Sequence, residues 1–124
     1  MRVQINRLNH VQISIPPGDE GKAREFYGKL LGLEEIPKPE VLRSSGGLWY
    51  NVADIQLHIG VEEGQSPSKR HPAFEVENLK AIRAYLMEHD VRTKDEHSLP
   101  GIDRFSFLDP FGNRIEFMER TDGK

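Results

Sequence analysis

The sequence contains no cysteine among its 124 residues. Disulfide frameworks and thiolate metal sites are therefore excluded, and a bound metal ion would need histidine and carboxylate ligands. A basic excess is also lacking, because 17 lysines and arginines face 20 acidic residues, so no nucleic-acid partner is expected. No apolar run approaches the length of a membrane span, and the first ten residues lack the apolar core of a secretory signal. We therefore expect a cytoplasmic protein with no membrane partner.

What the sequence does contain is an internal repeat. The whole sequence is long enough for one domain with a hydrophobic core. Gly, Ser, Pro and charged residues in segment 62–69 interrupt the apolar patterns on either side. We predict a single domain over 1–124, made of modules 1–61 and 70–120 and joined by linker 62–69. In each module the apolar patterns predict a strand, a helix and three further strands, in that order.

The two helices and the last turn are predicted from local signals. An apolar face runs from Ala23 to Leu31, and Gly32 is expected to end this first helix. Asn78 is the predicted N-cap of the second helix. The segment DPFGN, 109–113, predicts a turn between the last two strands.

Alternation along the strands places metal-competent side chains on a polar face of each module. His10 lies on the polar face of the first strand, and Gln56 and His58 share a face of the fourth. In the second module, His71 aligns with His10, and Glu116 lies on the last strand. Neutral imidazole and carboxylate groups suit a divalent Zn, Ni, Mn, Fe or Co ion, so we predict a metal site. The alternative is that these side chains are only solvated.

Other polar and aromatic residues are weaker candidates. His89 falls near the end of the second helix and His97 falls in a loop, and neither is assigned a role. The candidate substrate-binding residues are Trp49, which could stack on a substrate, and Arg104, Ser106 and Arg43, which could bind an anion. Core packing of the indole and simple surface exposure of the arginines are the alternatives.

Four segments carry a family resemblance: LNHVQISIP, REFYGKLLGLE, RHPAFEVENL and, most specifically, FLDPFGNRIEF. With the paired modules, they resemble the vicinal oxygen chelate superfamily. That superfamily includes glyoxalase I, the fosfomycin resistance proteins, the extradiol dioxygenases and the bleomycin resistance proteins. The resemblance implies an α+β fold, in which two βαβββ modules form an eight-stranded, incompletely closed, cup-shaped mixed sheet with the helices outside.

The resemblance also implies roles for individual residues. Carried over by position, the metal ligands are His10, His71 and Glu116. The family position at the end of the first module falls on either His58 or Gln56, each a possible fourth ligand. Glu116 and His58 are the candidate catalytic residues. Segment 55–61 contains no glutamate, so the general base of a glyoxalase I mechanism is missing and that activity is disfavoured.

The implied function is that of a divalent-metal-dependent enzyme acting on a small oxygenated substrate chelated by the metal. The reaction stays open among isomerase or lyase, epoxide-opening transferase and dioxygenase types, because relatives share a fold without sharing a reaction. The alternative is a non-catalytic small-molecule or drug-binding protein of the bleomycin resistance type. A homodimer is also expected.

Overall fold

The structure is a computed structural model that describes residues 1–64 and 68–121. The chain folds as two compact units, unit 1 (Met1–Gln65) and unit 2 (Ser66–Lys124). The described residues form eight strands: β1 His10–Ile15, β2 Glu34–Ile36, β3 Leu48–Val52, β4 Ile55–Val61, β5 Ala73–Glu75, β6 Thr93–Asp95, β7 Ile102–Leu108 and β8 Arg114–Arg120. Residues 65–67 of the predicted linker lie outside the described residues. No described helix is long and apolar enough to cross a membrane.

Unit 1 is a four-stranded mixed sheet in the order β1-β4-β3-β2, covered on one face by a helix. Its outer strand β1 runs parallel to β4, and the other pairs are antiparallel. The helix α1 begins as an α-helix over Glu20–Ala23 and continues as a π-helix over Arg24–Leu30. The core side chains come from the helix and from alternate strand positions: Ala23, Phe26, Tyr27, Ile13, Ile15, Leu48, Tyr50, Leu57 and Ile59. Burial of these apolar groups is the main stabilising term for the unit.

Unit 2 repeats this arrangement, with strand order β5-β8-β7-β6 and a parallel β5·β8 pair. Its helix α2, Leu79–Glu88, buries Leu79 and Leu86. Asn78 occupies the N-cap position as predicted, but its side chain makes no capping bond. The cap comes from Glu119 of β8, whose carboxylate accepts the backbone N–H groups of Asn78 and Leu79, both at 3.0 Å. The helix start is therefore tied directly to the last strand.

The predicted turn at 109–113 is built around one buried carboxylate. Asp109 accepts the backbone N–H groups of Phe111 at 2.9 Å and Asn113 at 2.8 Å. Gly112 adopts φ +88°, a conformation that costs little only for glycine. The turn fixes the pairing of β7 with β8, because Leu108 and Arg114 face each other directly across it.

The predicted α+β fold with two βαβββ modules is confirmed, and its eight strands form two sheets of four. The alternating pattern HPAFEV, residues 71–76, predicts a strand that begins at His71, but β5 begins only at Ala73. Pro72 has no N–H group to donate, although its carbonyl accepts the Glu116 N–H at 3.0 Å. A 3-10 helix over Glu40–Ser45 was not predicted, because this segment lacks an apolar periodicity and buries none of its residues.

The chain between β2 and β3 is anchored at both ends. Gly47 packs so closely on β4 that an added Cβ would lie 2.2 Å from the Ile59 carbonyl oxygen, so only glycine fits. Its N–H group donates to the Glu20 carboxylate at 3.0 Å. At the other end, the Lys38 ammonium donates to the Gly46 carbonyl. The Gly47 hydrogen bond is also the main reason why the pKa of Glu20 lies below its ordinary value.

Tyr50 provides a test of core packing. Its side chain is fully buried, and its hydroxyl has no hydrogen-bond partner among the described residues; burial raises its pKa to about 12. Because an unsatisfied buried polar group costs about 1–3 kcal/mol, we expect Tyr50→Phe to leave the free energy of unfolding unchanged or to raise it within that range. Urea denaturation measures this change. Tyr85→Phe on the exposed face of α2 is the matched control, and a clear loss of stability in the Tyr50 variant alone would contradict the expectation.

The Glu20 carboxylate makes a pH-dependent contribution to stability. Because its folded pKa lies below the ordinary value of 4.5, the contribution is complete above that pH and is lost as the pH falls through the folded pKa. We expect Glu20→Gln to be less stable than the native protein by roughly 1 kcal/mol at neutral pH. The difference should disappear in acid. Urea denaturation across this pH range measures it.

Glu25→Gln is the control for that experiment. Glu25 is an exposed carboxylate of the same helix, 3.6 Å from Lys29. Exposed ion pairs of this kind contribute at most about 1 kcal/mol and often much less. A Glu20→Gln difference that persists undiminished in acid would rule out the carboxylate charge as its source.

Candidate metal and ligand site

The polar face of the sheet in unit 1 brings together the residues that alternation predicted. In the strand register, Gln56 is opposite His10, and His58 is opposite both Gln12 and Trp49. These side chains line a cavity of about 570 Å³, a volume in the usual range for small-molecule pockets. The rest of its lining is Asn9, Lys38, Leu42, Ser45, Gly46, Ile59, Gly60 and Val61.

Three rings form a continuous stack within this cavity. His58 lies between His10, at a centroid distance of 4.0 Å, and Trp49, at 3.9 Å with an interplanar angle of 3°. Burial is the main cause that lowers the pKa of His58, and the nearby His10 and Lys38 lower it further. The Nε2 atom of His58 is 2.9 Å from the amide oxygen of Gln56. Since that oxygen can only accept, Nε2 carries the proton.

His10 is held in a tautomer that suits a metal ligand. Its Nδ1 atom lies 2.9 Å from the side-chain oxygen of Asn9, which can only accept a hydrogen bond. Nδ1 therefore donates, and the lone pair of Nε2 is left for another partner. Metal-binding histidines commonly have their second nitrogen fixed in this way.

His71 in unit 2 is held in the same tautomer. Its Nδ1 atom donates to the carbonyl of Lys69 at 2.8 Å, and its Nε2 atom lies 3.1 Å from Oε1 of Glu116. Glu116 is only 5% exposed. With Nδ1 protonated, both facing atoms of a neutral imidazole and a carboxylate are acceptors. The contact therefore involves either a proton between the two atoms, carried by the imidazole or by the carboxyl group, or a metal ion bound by both.

The separation of these two atoms fits adjacent ligands of one metal ion. With metal bonds of about 2.1 Å, two ligands at a right angle would lie about 3.0 Å apart. The observed distance between Nε2 of His71 and Oε1 of Glu116 is 3.1 Å. These two atoms could therefore serve as two adjacent ligands of one metal ion. Within the described residues of each unit, however, no three histidine or carboxylate side chains cluster as a complete metal site.

A network of charged groups surrounds Glu116 on the same face of the sheet. Arg104 donates from Nη1 to Oε1 of Glu116 at 3.3 Å and from Nε to the carbonyl of His97 at 3.1 Å. Beside it, Ser106 and Arg114 both donate to the carboxylate of Glu96. The Ser106 hydrogen bond is the largest cause that lowers the pKa of Glu96. Both predicted substrate-binding residues of β7 are thus engaged within the protein, Ser106 with Glu96 and Arg104 with the candidate ligand Glu116.

The sequence left open whether His58 or Gln56 occupies the family position at the end of the first module. Comparing the strand registers of the two modules bears on this choice. Glu116 is paired in the register with Ala73, two residues after His71. His58 is paired with Gln12, two residues after His10. His58 is therefore the counterpart of Glu116. In the observed rotamer, however, it presents a ring face to His10, while coordination uses the lone pair in the ring plane, so its present contacts orient His10.

The other candidate residues lie elsewhere. Arg43 is exposed on the 3-10 helix and donates to the Lys38 carbonyl at 3.4 Å, and it is not part of the cavity lining. Nδ1 of His89 contacts the Tyr85 carbonyl at the end of α2. Lys38 was missed by the sequence reasoning, although it lines the cavity. Its position between two prolines, in the segment Pro37–Pro39, was the available signal for a rigidly held cation.

Solved structures with low sequence identity share the fold. The antibiotic-binding protein TnmS3 from Streptomyces sp. CB03234 has 23% identity and a TM-score of 0.73, with coverage of 96% of this chain and 99% of that one. The fosfomycin resistance protein FosX from Listeria monocytogenes, solved with Mn(II) and sulfate, has 19% identity and a TM-score of 0.77 over 96% and 94% of the two chains. No curated protein sequence matches the chain.

Two further comparisons show similarity in sequence as well as in fold. A protein from Bacillus anthracis assigned to the glyoxalase family shares 46% identity at a TM-score of 0.90, over 97% of this chain and 99% of that one. The sequence model of the Glyoxalase/Bleomycin resistance protein/Dioxygenase superfamily matches residues 7–117, which are most of the chain and contain all the candidate ligands. The chain therefore belongs to the Glyoxalase/Bleomycin resistance protein/Dioxygenase superfamily.

Proposed function

We propose that this protein is a divalent-metal-dependent enzyme whose metal ligands are His10, His71 and Glu116. The observation that carries the proposal is the contact between His71 and Glu116, in which an imidazole nitrogen and a carboxylate oxygen face each other at 3.1 Å. The matching tautomer of His10 supports the third ligand. Two histidines and one carboxylate suit Zn, Ni, Mn, Fe or Co and leave coordination positions open.

The chain's own residues would prepare this site for a small oxygenated substrate. Arg104 fixes the orientation of the Glu116 carboxylate, and Asn9 and the Lys69 carbonyl fix the two imidazoles. When bound, the metal would act as a Lewis acid on substrate oxygen atoms. Glu116 and His58 stay the predicted catalytic residues. Isomerase or lyase, epoxide-opening transferase and dioxygenase reactions all remain compatible with such a site.

A second candidate function is the binding of a small molecule or drug without chemistry. The cavity of about 570 Å³ with its stack of Trp49, His58 and His10 favours it, because planar ligands bind well to aromatic faces. The relative TnmS3 is an antibiotic-binding protein with the same fold. Under either candidate function, we also propose that the protein is a homodimer and that it is located in the cytoplasm.

Metal analysis of the purified protein tests the first proposal. We expect a divalent metal in the native protein after growth in metal-supplemented medium. The metal-to-protein ratio after dialysis against metal-free buffer should fall clearly in His10→Ala and in Glu116→Ala. Each change removes a ligand, and the loss of even a supporting residue typically lowers metal affinity about 10–100-fold. Elemental analysis by mass spectrometry gives the ratio.

His89→Ala is the matched control, because its imidazole contacts a backbone carbonyl at the end of α2. It should keep the full metal content. Unchanged metal content in the His10 and Glu116 variants would contradict the proposed ligands. A native protein that never contains or binds a divalent metal would favour the second candidate function.

A further inference from the structure

The cavity in unit 1 has a one-sided charge distribution. Lys38 contributes an ammonium group to its lining, and none of the lining residues in the described part of the chain carries a carboxylate. Glu20, the acidic group that anchors the same loop, is outside the lining and accepts the N–H group of Gly47. A ligand in this cavity therefore meets a cation that has no carboxylate beside it in the lining. The nearby Glu20, whose pKa Lys38 helps to lower, is already bound to Gly47.

Lys38 is held in place more rigidly than most lysines. Pro37 and Pro39 flank it, and each proline ring fixes a backbone torsion angle. Its ammonium group donates to the Ser45 hydroxyl at 3.3 Å and to the Gly46 carbonyl. An ammonium group has three donors, so one remains for a ligand. Within the described residues, no carboxylate lies within salt-bridge distance of Lys38, and the side chain is half-buried.

The remainder of the cavity suits an apolar or planar body. Trp49 and its stacked imidazole partners supply ring surface, and Leu42 and Val61 supply aliphatic surface. Gly60 leaves space for the side-chain amide of Gln12, which a Cβ at that position would approach to 2.6 Å. The cavity thus combines aromatic surface, amide groups and one fixed cation.

We propose that this cavity selects small organic anions, in which a carboxylate or phosphonate group binds the Lys38 ammonium and a planar apolar body packs against Trp49. Lys38 is then the residue that determines specificity. This inference names the substrate class of the proposed enzyme and in that sense rests on the proposed function. Anion binding itself is measurable in protein from which metal has been removed by a chelator.

The single tryptophan provides the measurement. Trp49 is the only tryptophan in the sequence, so tryptophan fluorescence reports on the surroundings of a single residue in the cavity lining. The probes are phenylacetate and phenylphosphonate as the anions and phenylacetamide as a neutral compound of nearly the same shape. In chelator-treated native protein we expect saturable binding of at least one anion, about tenfold tighter than binding of the amide, which is the usual size of a charge-assisted hydrogen bond.

Substitutions separate charge from packing. Lys38→Gln should remove the preference for the anion, and Lys38→Arg should retain most of it. Lys29→Gln removes an exposed cation that pairs with Glu25 on the helix, so it should bind as the native protein does. Circular dichroism and thermal unfolding establish that each variant is folded. If Lys38→Gln does not fold, the ratio of the native protein's affinities for the anion and for the amide still tests the inference.

Three results would overturn the inference: equal binding of anion and amide by the native protein, an unchanged preference in Lys38→Gln, or no saturable binding of any probe. A preference for phenylacetate over phenylphosphonate identifies a carboxylate ligand, and the reverse preference identifies a phosphonate ligand; either supports the inference. The metal proposal can fail separately. If His10→Ala retains its metal while Lys38 still selects the anion, only the ligand assignment is wrong.

Discussion

The parallel pairing of the opening strand with the closing strand of each module is the constraint on which the site depends. It places Gln12 beside His58 in one unit and Ala73 beside Glu116 in the other. Parallel neighbours need a crossover connection, so residues that are far apart in sequence meet on one polar face. A shift of this register by one residue would turn the candidate ligands toward the apolar face. The same hydrogen bonds therefore fix both the fold of each unit and the positions of the candidate site residues on its polar face.

The period of the apolar residues was sufficient to predict the strands, both helices and the polar faces. Burial of every second residue decides the strands, and burial of residues three and four positions apart decides the helices. The shorter β5 and the Glu119 cap depend on backbone geometry, which apolar periodicity does not encode. The ring stack on His58 could not be predicted from the sequence. The position of a residue along a strand determines which face its side chain lies on, but not which rotamer it adopts. Lys38 was overlooked because it belongs to no strand.

The two candidate functions make different demands on the same side chains. Coordination requires the ring-plane lone pair of His10, which the hydrogen bond from Nδ1 to Asn9 leaves on Nε2. Ligand stacking requires ring faces, and one face of His10 is already covered by His58. These demands are compatible, because lone pair and ring face point in perpendicular directions. The proposed metal ion at the ring edge and the proposed planar ligand along the stack therefore do not compete for the same part of the imidazole.

The loop that carries Lys38 has a consequence for how such a cavity changes over evolutionary time. One end is fixed by Lys38, whose ammonium group donates to the Gly46 carbonyl, and the other by Gly47, which tolerates no side chain. The 3-10 helix Glu40–Ser45 between Lys38 and Gly47 buries none of its residues. Substitutions on exposed segments of this kind usually change stability by less than about 0.5 kcal/mol. The rim of the cavity can therefore diversify in sequence, and with it the range of accepted ligands, while the sheet beneath remains unaltered.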